Sequence, residues 1–354
     1  MNGSRTPINL VGVFERVGLA LSTVGLTLPP VPQPFYEAYM APMGARALIA
    51  ATRLGLIAAL AEHPASSAEL ASELELDEES VELVLCALLN LGYTRQRRDR
   101  RFALRSTARR WLTPGTWDAV IGGLAYDNWA LMSHLDERLQ GKPPVGWHER
   151  PADDPMWERY QHSMAQLARQ TAGPLAGAIP ARSPRRLLDL GGSHGLHAIA
   201  MCRRHPGLQA TVMDLPPAVR FGRRIVEQEG MTDRVEHVEG DIFGADLGTD
   251  WDLVTAHALL HNFSLARCLY LLRRAHDALA PDGTLAILDI EPPPQGRRGT
   301  RAGALTSLLF HTFGEGRSYR PQELRDMLAT AGFTRVQTKH PLRLPANFLV
   351  LARR

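Results

Sequence analysis

The chain has 354 residues, 45% hydrophobic and 22% charged, with a formal net charge of +3. At roughly 100–200 residues per domain, that length implies two domains with a sizeable core. It excludes a disordered chain, a collagen-like fibre and a disulfide-stapled mini-protein. Cys86, Cys202 and Cys268 stand apart without a CxxC pair, so no structural zinc site is expected and a reducing cytoplasm is the natural compartment. Lys142 and Lys339 are the only lysines, and arginine carries the remaining positive charge as a compositional bias. A pI near 8.9 permits nucleic-acid binding without requiring it.

Ile8 to Leu28 is apolar but interrupted by Glu15 and Arg16, which argues against a signal peptide or membrane span and for an amphipathic packing or dimerisation helix. The stretch Leu28-Pro29-Pro30-Val31-Pro32-Gln33-Pro34 reads as an extended arm. Met43, Ala47, Leu48, Ala51, Leu54, Ile57 and Leu60 then recur at helical spacing. Ser66 and Glu69 form a capping box for a short helix, and Asp77 caps a third helix through Val81, Val84, Leu85, Leu88 and Leu89, stopped at Gly92. Tyr93–Gln96 and Arg101–Arg105 read as strands around a polar turn. Helix, short helix, helix and hairpin make a winged-helix pattern. Arg95, Arg97, Arg98, Arg100 and Arg101 could place a basic wing on phosphates. The third helix, however, begins with Asp77, Glu78, Glu79 and Glu82, which a phosphate backbone repels. A module reused for dimerisation, without a nucleic-acid partner, is the better reading.

Residues 106–180 read as mostly helical, with a stripe through Trp129, Leu131, Met132, Leu135 and Leu139, a break at Gly141–Pro144, and a second helix over Pro155–Ala178 carrying Tyr160, Met164 and Leu167. Stripes of aromatics and methionines are usually core. Here they precede an α/β region, so Trp129, Met132, Tyr160, Met164 and, further on, Phe310 are candidate pocket residues. From Ser183, strands at Leu187–Leu190, Ala210–Asp214, Val235–Val238, Leu253–Ala256 and Thr284–Ile290 alternate with helical patterns, which argues for a parallel sheet covered on both faces. Val336–Lys339 and Phe348–Ala352 follow with no helix between them and imply an antiparallel hairpin at one edge. The expected organisation is an arm and winged-helix domain over 1–110, a helical linker contributing to the pocket over 111–180, and a cofactor domain over 181–354.

The sharpest motif is Leu187-Leu188-Asp189-Leu190-Gly191-Gly192-Ser193-His194-Gly195, a strand running into a glycine-rich turn and a helix. Gly191 and Gly195 let backbone approach a ligand, and the helix N-terminus offers free N–H groups. The spacing is not the GxGxxG of a dinucleotide turn. Asp214, followed by Leu215, ends the second strand, where an acid can bind both hydroxyls of a ribose. Asp241 ends the third, where it can accept from an adenine amino group while Ile242 or Phe243 packs on the ring. Three acids at three successive strand ends fit one nucleoside lying across the sheet.

These motifs, with Asp252–Phe263, Leu279–Ile290 and Tyr319–Phe333, resemble the class I S-adenosylmethionine-dependent methyltransferases. More narrowly, over residues 35–354 the chain resembles the small-molecule O-methyltransferases with an N-terminal winged-helix dimerisation domain. The resemblance implies a Rossmann-like seven-stranded sheet with its last strand antiparallel, S-adenosyl-L-methionine as methyl donor, a homodimer, and O-methylation of a hydroxyl on an aromatic or polyketide-like small molecule, with no membrane partner. His261, in the stretch after the fourth strand, stands where this family carries its catalytic histidine. Histidine suits the task because a phenol of pKa about 10 needs a base near neutral pH. His257 stands where the family places a basic residue near the cofactor. The family's carboxylate partner corresponds to Asp289, with Glu291 as the rival in register. A second family glutamate falls on Ser318, with Glu315 close but shifted. One carboxylate instead of two leaves open C-methylation, hydroxylation or cyclisation on the same scaffold. No carboxylate is spaced to join His194 and His197, so no metal is expected.

Overall fold

The computed structural model describes residues 33–296, 299–344 and 346–354, so the expected arm and the helix before it lie outside the described residues. The chain divides into two compact units, Met1–Pro114 and Gly115–Arg354.

In the first unit the long apolar periodicity is split into α1 (Ala41–Arg53) and α2 (Leu56–Glu62). Gly55, at φ 88°, takes the left-handed conformation that ends α1 and redirects the chain. The apolar stripe changes face there: Ile49, Ala51, Ile57 and Leu60 are buried, whereas Met43 and Leu54 are exposed. The capping box forms as the spacing requires, with Ser66 N–H donating to Glu69 (2.8 Å) and Glu69 N–H to Ser66 Oγ (3.2 Å), and opens α3 (Ser67–Leu74). Asp77 accepts from Ser80 N–H at 2.8 Å and starts α4 (Glu78–Asn90), which buries Val81, Leu85 and Leu88. β1 (Thr94–Gln96) and β2 (Phe102–Leu104) pair antiparallel as the wing, followed by α5 (Ser106–Trp111). At the wing, Arg101 is paired with Glu69.

The second unit begins with α6 (Ala125–Met132), α7 (Leu135–Leu139) and α8 (Pro155–Ala178). The sheet strands are β3 (Arg186–Leu190), β4 (Gln209–Asp214), β5 (Val235–Glu239), β6 (Trp251–His257), β7 (Leu279–Ile290), β8 (Thr334–Lys339) and β9 (Asn347–Arg353). They lie in the order β5-β4-β3-β6-β7-β9-β8. The closing hairpin forms, but its last strand, β9, is inserted antiparallel between β7 and β8, so β8 is the edge.

Strict alternation along the strands feeds two cores. Leu188, Val254, Leu285, Ile287 and Val350 face one side, under α11 (Leu265–Ala278) and α13 (Pro321–Thr330). Leu187, Leu253, Ala286, Leu288 and Leu349 face the other, under α8, α9 (Leu196–Arg204) and α10 (Pro216–Gln228). Ala165, Ala168, Leu175 and Ile179 of α8 belong to that second core. Residues 115–180 are therefore built into the sheet domain rather than linking to it, because α8 covers one of its faces. Among the described residues no single helix is long and apolar enough to cross a membrane.

Candidate active site

β3 pairs with β4 on one side and β6 on the other, so the strand order reverses at β3 and a crevice opens at the carboxyl ends of these strands. The glycine-rich turn crosses this opening. Gly191 has φ 62°, and a Cβ there would lie 2.6 Å from Leu259, so both conformation and space require glycine. Asp189 is fully buried beneath Gly192 and does not reach the cavity wall. Thr255 Oγ1 donates to its Oδ1 at 2.6 Å, and its Oδ2 has no protein partner. Burial pushes this carboxyl up to about 7, with the nearby Asp214 charge adding to it. Its position is that of a brace under the turn.

Asp214 does line the cavity. It accepts from Ser193 N–H (2.8 Å) and Leu215 N–H (2.7 Å), which ties β4 to the turn and leaves each oxygen further capacity to accept. Burial raises its pKa to about 6. Leu215, Asp241, Ile242 and Phe243 also line the cavity, with Asp241 Oδ1 accepting from Phe243 N–H at 3.0 Å. A carboxylate for a vicinal diol, a second carboxylate for an amino group and an apolar slab between them fit a nucleoside.

Besides Asp189, two more of the residues expected at the cofactor do not line this cavity. Gly195 packs away from the cavity, where a Cβ would lie 2.9 Å from His237. His257 is buried with its ring 5.1 Å from that of His197, because strand alternation turns it toward α9 rather than into the crevice. Burial lowers the pKa of His194, His197 and His257 and keeps them neutral. No metal-binding cluster occurs among the described residues.

His261 sits in a turn of 3-10 helix, Leu260–Asn262, immediately after β6. Its Nδ1 lies 2.8 Å from Asp289 Oδ1, and the two side chains are only 6% and 2% exposed. The imidazole is stacked on Phe310, with ring centres 3.6 Å apart and planes 1° from parallel. Phe310 belongs to α12 (Arg301–Phe313). Glu291, the rival partner, pairs with His340 instead. Ser318 is buried with its hydroxyl unpartnered, and Glu315 pairs with Arg267. His261 therefore has one carboxylate partner.

The cavity has a volume of ≈ 340 Å³; Leu259, Asn262 and Phe263, from the segment that carries His261, line it, whereas His261 and Asp289 themselves do not. Its opposite wall is aromatic: Trp147, His148, Trp157, Tyr160 and Phe313. Of the candidate pocket residues, Tyr160 lines this wall and Phe310 backs His261, but Trp129, Met132 and Met164 do not line it. Trp129 is 43% exposed on α6. Helical periodicity defines a stripe but not which of its members meets another segment, and the wall is completed by residues 147, 148 and 313, far from the stripe in sequence. Also missed was His237, whose Nε2 lies 2.8 Å from Ser193 O and ties β5 to the turn.

The doubly wound sheet, with acids at its strand ends around the crevice, and the matches that follow make this an S-adenosylmethionine-dependent methyltransferase. Residues 140–334 match the O-methyltransferase domain and residues 36–114 the O-methyltransferase dimerisation domain. The first match spans more than half of the chain, which belongs to the O-methyltransferase family. The chain is 28% identical to the 3-hydroxy-5-methyl-1-naphthoate 3-O-methyltransferase of Streptomyces sahachiroi, over 82% of this chain and 86% of that one. It is 30% identical to the tetracenomycin polyketide synthesis 8-O-methyltransferase of Streptomyces glaucescens, over 84% and 90% respectively. Human N-acetylserotonin methyltransferase, solved in complex with S-adenosylmethionine, shares the fold at a TM-score of 0.80 and 21% identity, over 92% of this chain and 99% of that one.

Proposed function

We propose that this enzyme methylates a hydroxyl on an aromatic or polyketide-like small molecule, with His261 as general base. The observation that carries the reading is the buried His261–Asp289 pair beside an aromatic-walled cavity. A carboxylate only accepts hydrogen bonds, so Asp289 places the imidazole proton on Nδ1 and leaves the Nε2 lone pair to take the proton of the acceptor hydroxyl. The same carboxylate stabilises the imidazolium that results. The stacked Phe310 ring fixes the plane of the base. Bound S-adenosylmethionine supplies an electrophilic methyl group on a sulfonium, held through Asp214 and Asp241. The aromatic wall excludes water and orients a flat acceptor. Relatives that act on a hydroxynaphthoate and a tetracenomycin polyketide support this substrate class.

We further propose a homodimer formed through the first unit, supported by its match to the dimerisation domain. The three unpaired cysteines are in keeping with a cytoplasmic enzyme. The test is incubation of the enzyme with S-adenosylmethionine and naphthols, read by product mass. A gain of one methyl group on oxygen supports the reading. A product hydroxylated, cyclised or methylated on carbon overturns it.

A further inference from the structure

His148 is a polar group of the cavity wall that neither the base pair nor the nucleoside-facing strand ends employ. Its segment is pinned: Gly146 N–H donates to Phe313 O at 3.2 Å, Trp157 Nε1–H donates to Pro151 O at 3.1 Å, and the Arg150 guanidinium lies 5.6 Å over the Trp147 ring. Four aromatic rings surround the imidazole, those of Trp157 and Tyr160 at 6.2 Å and those of Trp147 and Phe313 at 6.4 Å. None of them offers it a hydrogen bond, and no hydrogen bond to either of its ring nitrogens occurs among the described residues. Burial brings its pKa down to about 4, and His261 opposes a charge there as well, so at neutral pH the ring is uncharged.

A neutral imidazole carries one donor and one acceptor; the four rings satisfy neither, and the half-buried side chain lines the cavity with both still available. His261 and His148 belong to one aromatic cluster, linked through Phe310 and Phe313, whose rings are 5.8 Å apart. Of the two imidazoles in this cluster only His261 is backed by a carboxylate. Only that one is built to take a proton. We propose that His148 binds a second oxygen function of the acceptor, so that the enzyme selects aromatic molecules bearing two oxygens, one methylated at His261 and one retained at His148. This rests on the hydroxyl-methylating reading above and names the substrate class within it.

The test uses the full-length enzyme with S-adenosylmethionine and two sets of probes. One set is 1-naphthol and 2-naphthol; the other is the 1,3-, 1,8- and 2,3-dihydroxynaphthalenes. The readout is the ratio of kcat/KM for the best dihydroxy probe to that for the best monohydroxy probe. Two hydroxyls alone give a statistical factor of about two, while one additional hydrogen bond gives about tenfold. The wild-type ratio is expected to be about tenfold or more, to fall to about two in His148→Phe, and to be kept in large part by His148→Gln, which retains a donor and an acceptor. Taking the ratio within each variant cancels losses of folded enzyme, and His148→Leu replaces His148→Phe if the latter does not fold. A wild-type ratio near two, or an undiminished ratio in the apolar variant, overturns the role of His148 and leaves the hydroxyl reading standing. Absence of methylation on every naphthol in the wild type overturns the hydroxyl reading, and this inference with it.

Discussion

His237 Nε2 lies 2.8 Å from the carbonyl oxygen of Ser193, so the middle of β5 holds the glycine-rich turn from behind. The imidazole is buried, and burial lowers its pKa, so the neutral ring donates to the carbonyl. It packs against Gly195 and Gly222, both of which leave room for it. Ser193 N–H is meanwhile taken by Asp214, and its hydroxyl donates to Gln161. Three separate elements thus fix one residue of the turn.

His237→Ala is therefore expected to weaken S-adenosylhomocysteine binding by about tenfold, the order of one lost hydrogen bond, although the side chain does not line the cavity. It should also lower stability by about 2 kcal/mol or more through the void left at Gly195 and Gly222. Calorimetry and thermal melts measure the two effects. Unaltered affinity in a folded variant removes the turn-positioning role.

Asp214→Ala acts on the same turn and on the ligand directly. On the proposed reading it leaves a ribose diol, as well as Ser193 N–H, without an acceptor, and charge-assisted hydrogen bonds are about twice as strong as neutral ones. Affinity for S-adenosylhomocysteine should fall by about 100-fold or more. Asp241→Ala should cost less, because that carboxylate is exposed at the rim and already serves Phe243 N–H. Equal effects of the two substitutions contradict this ranking.

Stability should fall as the solution is acidified from pH 7 to pH 5. Burial lowers the pKa of His148, His194, His197, His237 and His257, with His148 and His197 near 4, against an ordinary 6.5. Between those values the unfolded chain binds protons that the folded chain refuses, so each histidine contributes stability that is present at neutral pH and lost on acidification. Asp189 and Asp214 work in the opposite sense. Their carboxyls are raised to about 7 and 6 from an ordinary 3.8, so they favour the fold at acid pH and lose that contribution as pH rises through the folded values. All five histidines act in the same sense, which sets the expected direction. A melting temperature that stays level or rises from pH 7 to pH 5 contradicts the balance.

Local signals were legible in the sequence because their causes are local. The capping box at Ser66 and Glu69, the cap at Asp77 and the helix over Pro155–Ala178 depend on residues a few positions apart. The strands showed as apolar runs because helices cover both faces of the sheet. The acids at the ends of β3, β4 and β5 stood out because strand ends of a doubly wound sheet converge. What escaped was set by side-chain direction and by contacts distant in sequence. Asp189 and His257 were read as facing the cofactor, yet one points under the turn and the other toward α9. The wall of Trp147, His148, Trp157 and Phe313 joins a 3-10 turn, a helix start and a helix end, a meeting for which no spacing rule exists.

The first unit exposes large apolar side chains near its start: Phe35, Tyr39, Met40 and Met43, each more than 40% accessible. The rings of Phe35 and Tyr39 lie 5.1 Å apart, so these residues form a patch rather than isolated exposures. Contiguous apolar surface of this kind marks an interface. Tyr39→Glu combined with Met43→Glu in the full-length chain is expected to shift sedimentation from dimer toward monomer. A double variant that still sediments as the wild-type dimer places the interface elsewhere.

The decisive substitutions are those of the buried pair. If His261 takes the hydroxyl proton, His261→Ala should lower kcat by about 10²–10⁴-fold, the usual worth of a general base, with S-adenosylhomocysteine affinity nearly intact because the residue lies outside the nucleoside-facing strand ends. Asp289→Asn should cost less than His261→Ala. The amide leaves an acceptor for Nδ1–H but removes the charge that stabilises the imidazolium, and it can also turn its NH₂ toward Nδ1 and select the wrong tautomer. Phe310→Ala frees the ring that Asp289 and Phe310 together immobilise, and its loss should appear in kcat more than in KM. In all three, kcat for a naphthol is followed by product mass while calorimetry monitors cofactor binding. The order His261→Ala, then Asp289→Asn, then Phe310→Ala is the signature of a base, its charged partner and its support. Near-normal turnover in His261→Ala would leave an acceptor that arrives already ionised and reacts through proximity alone.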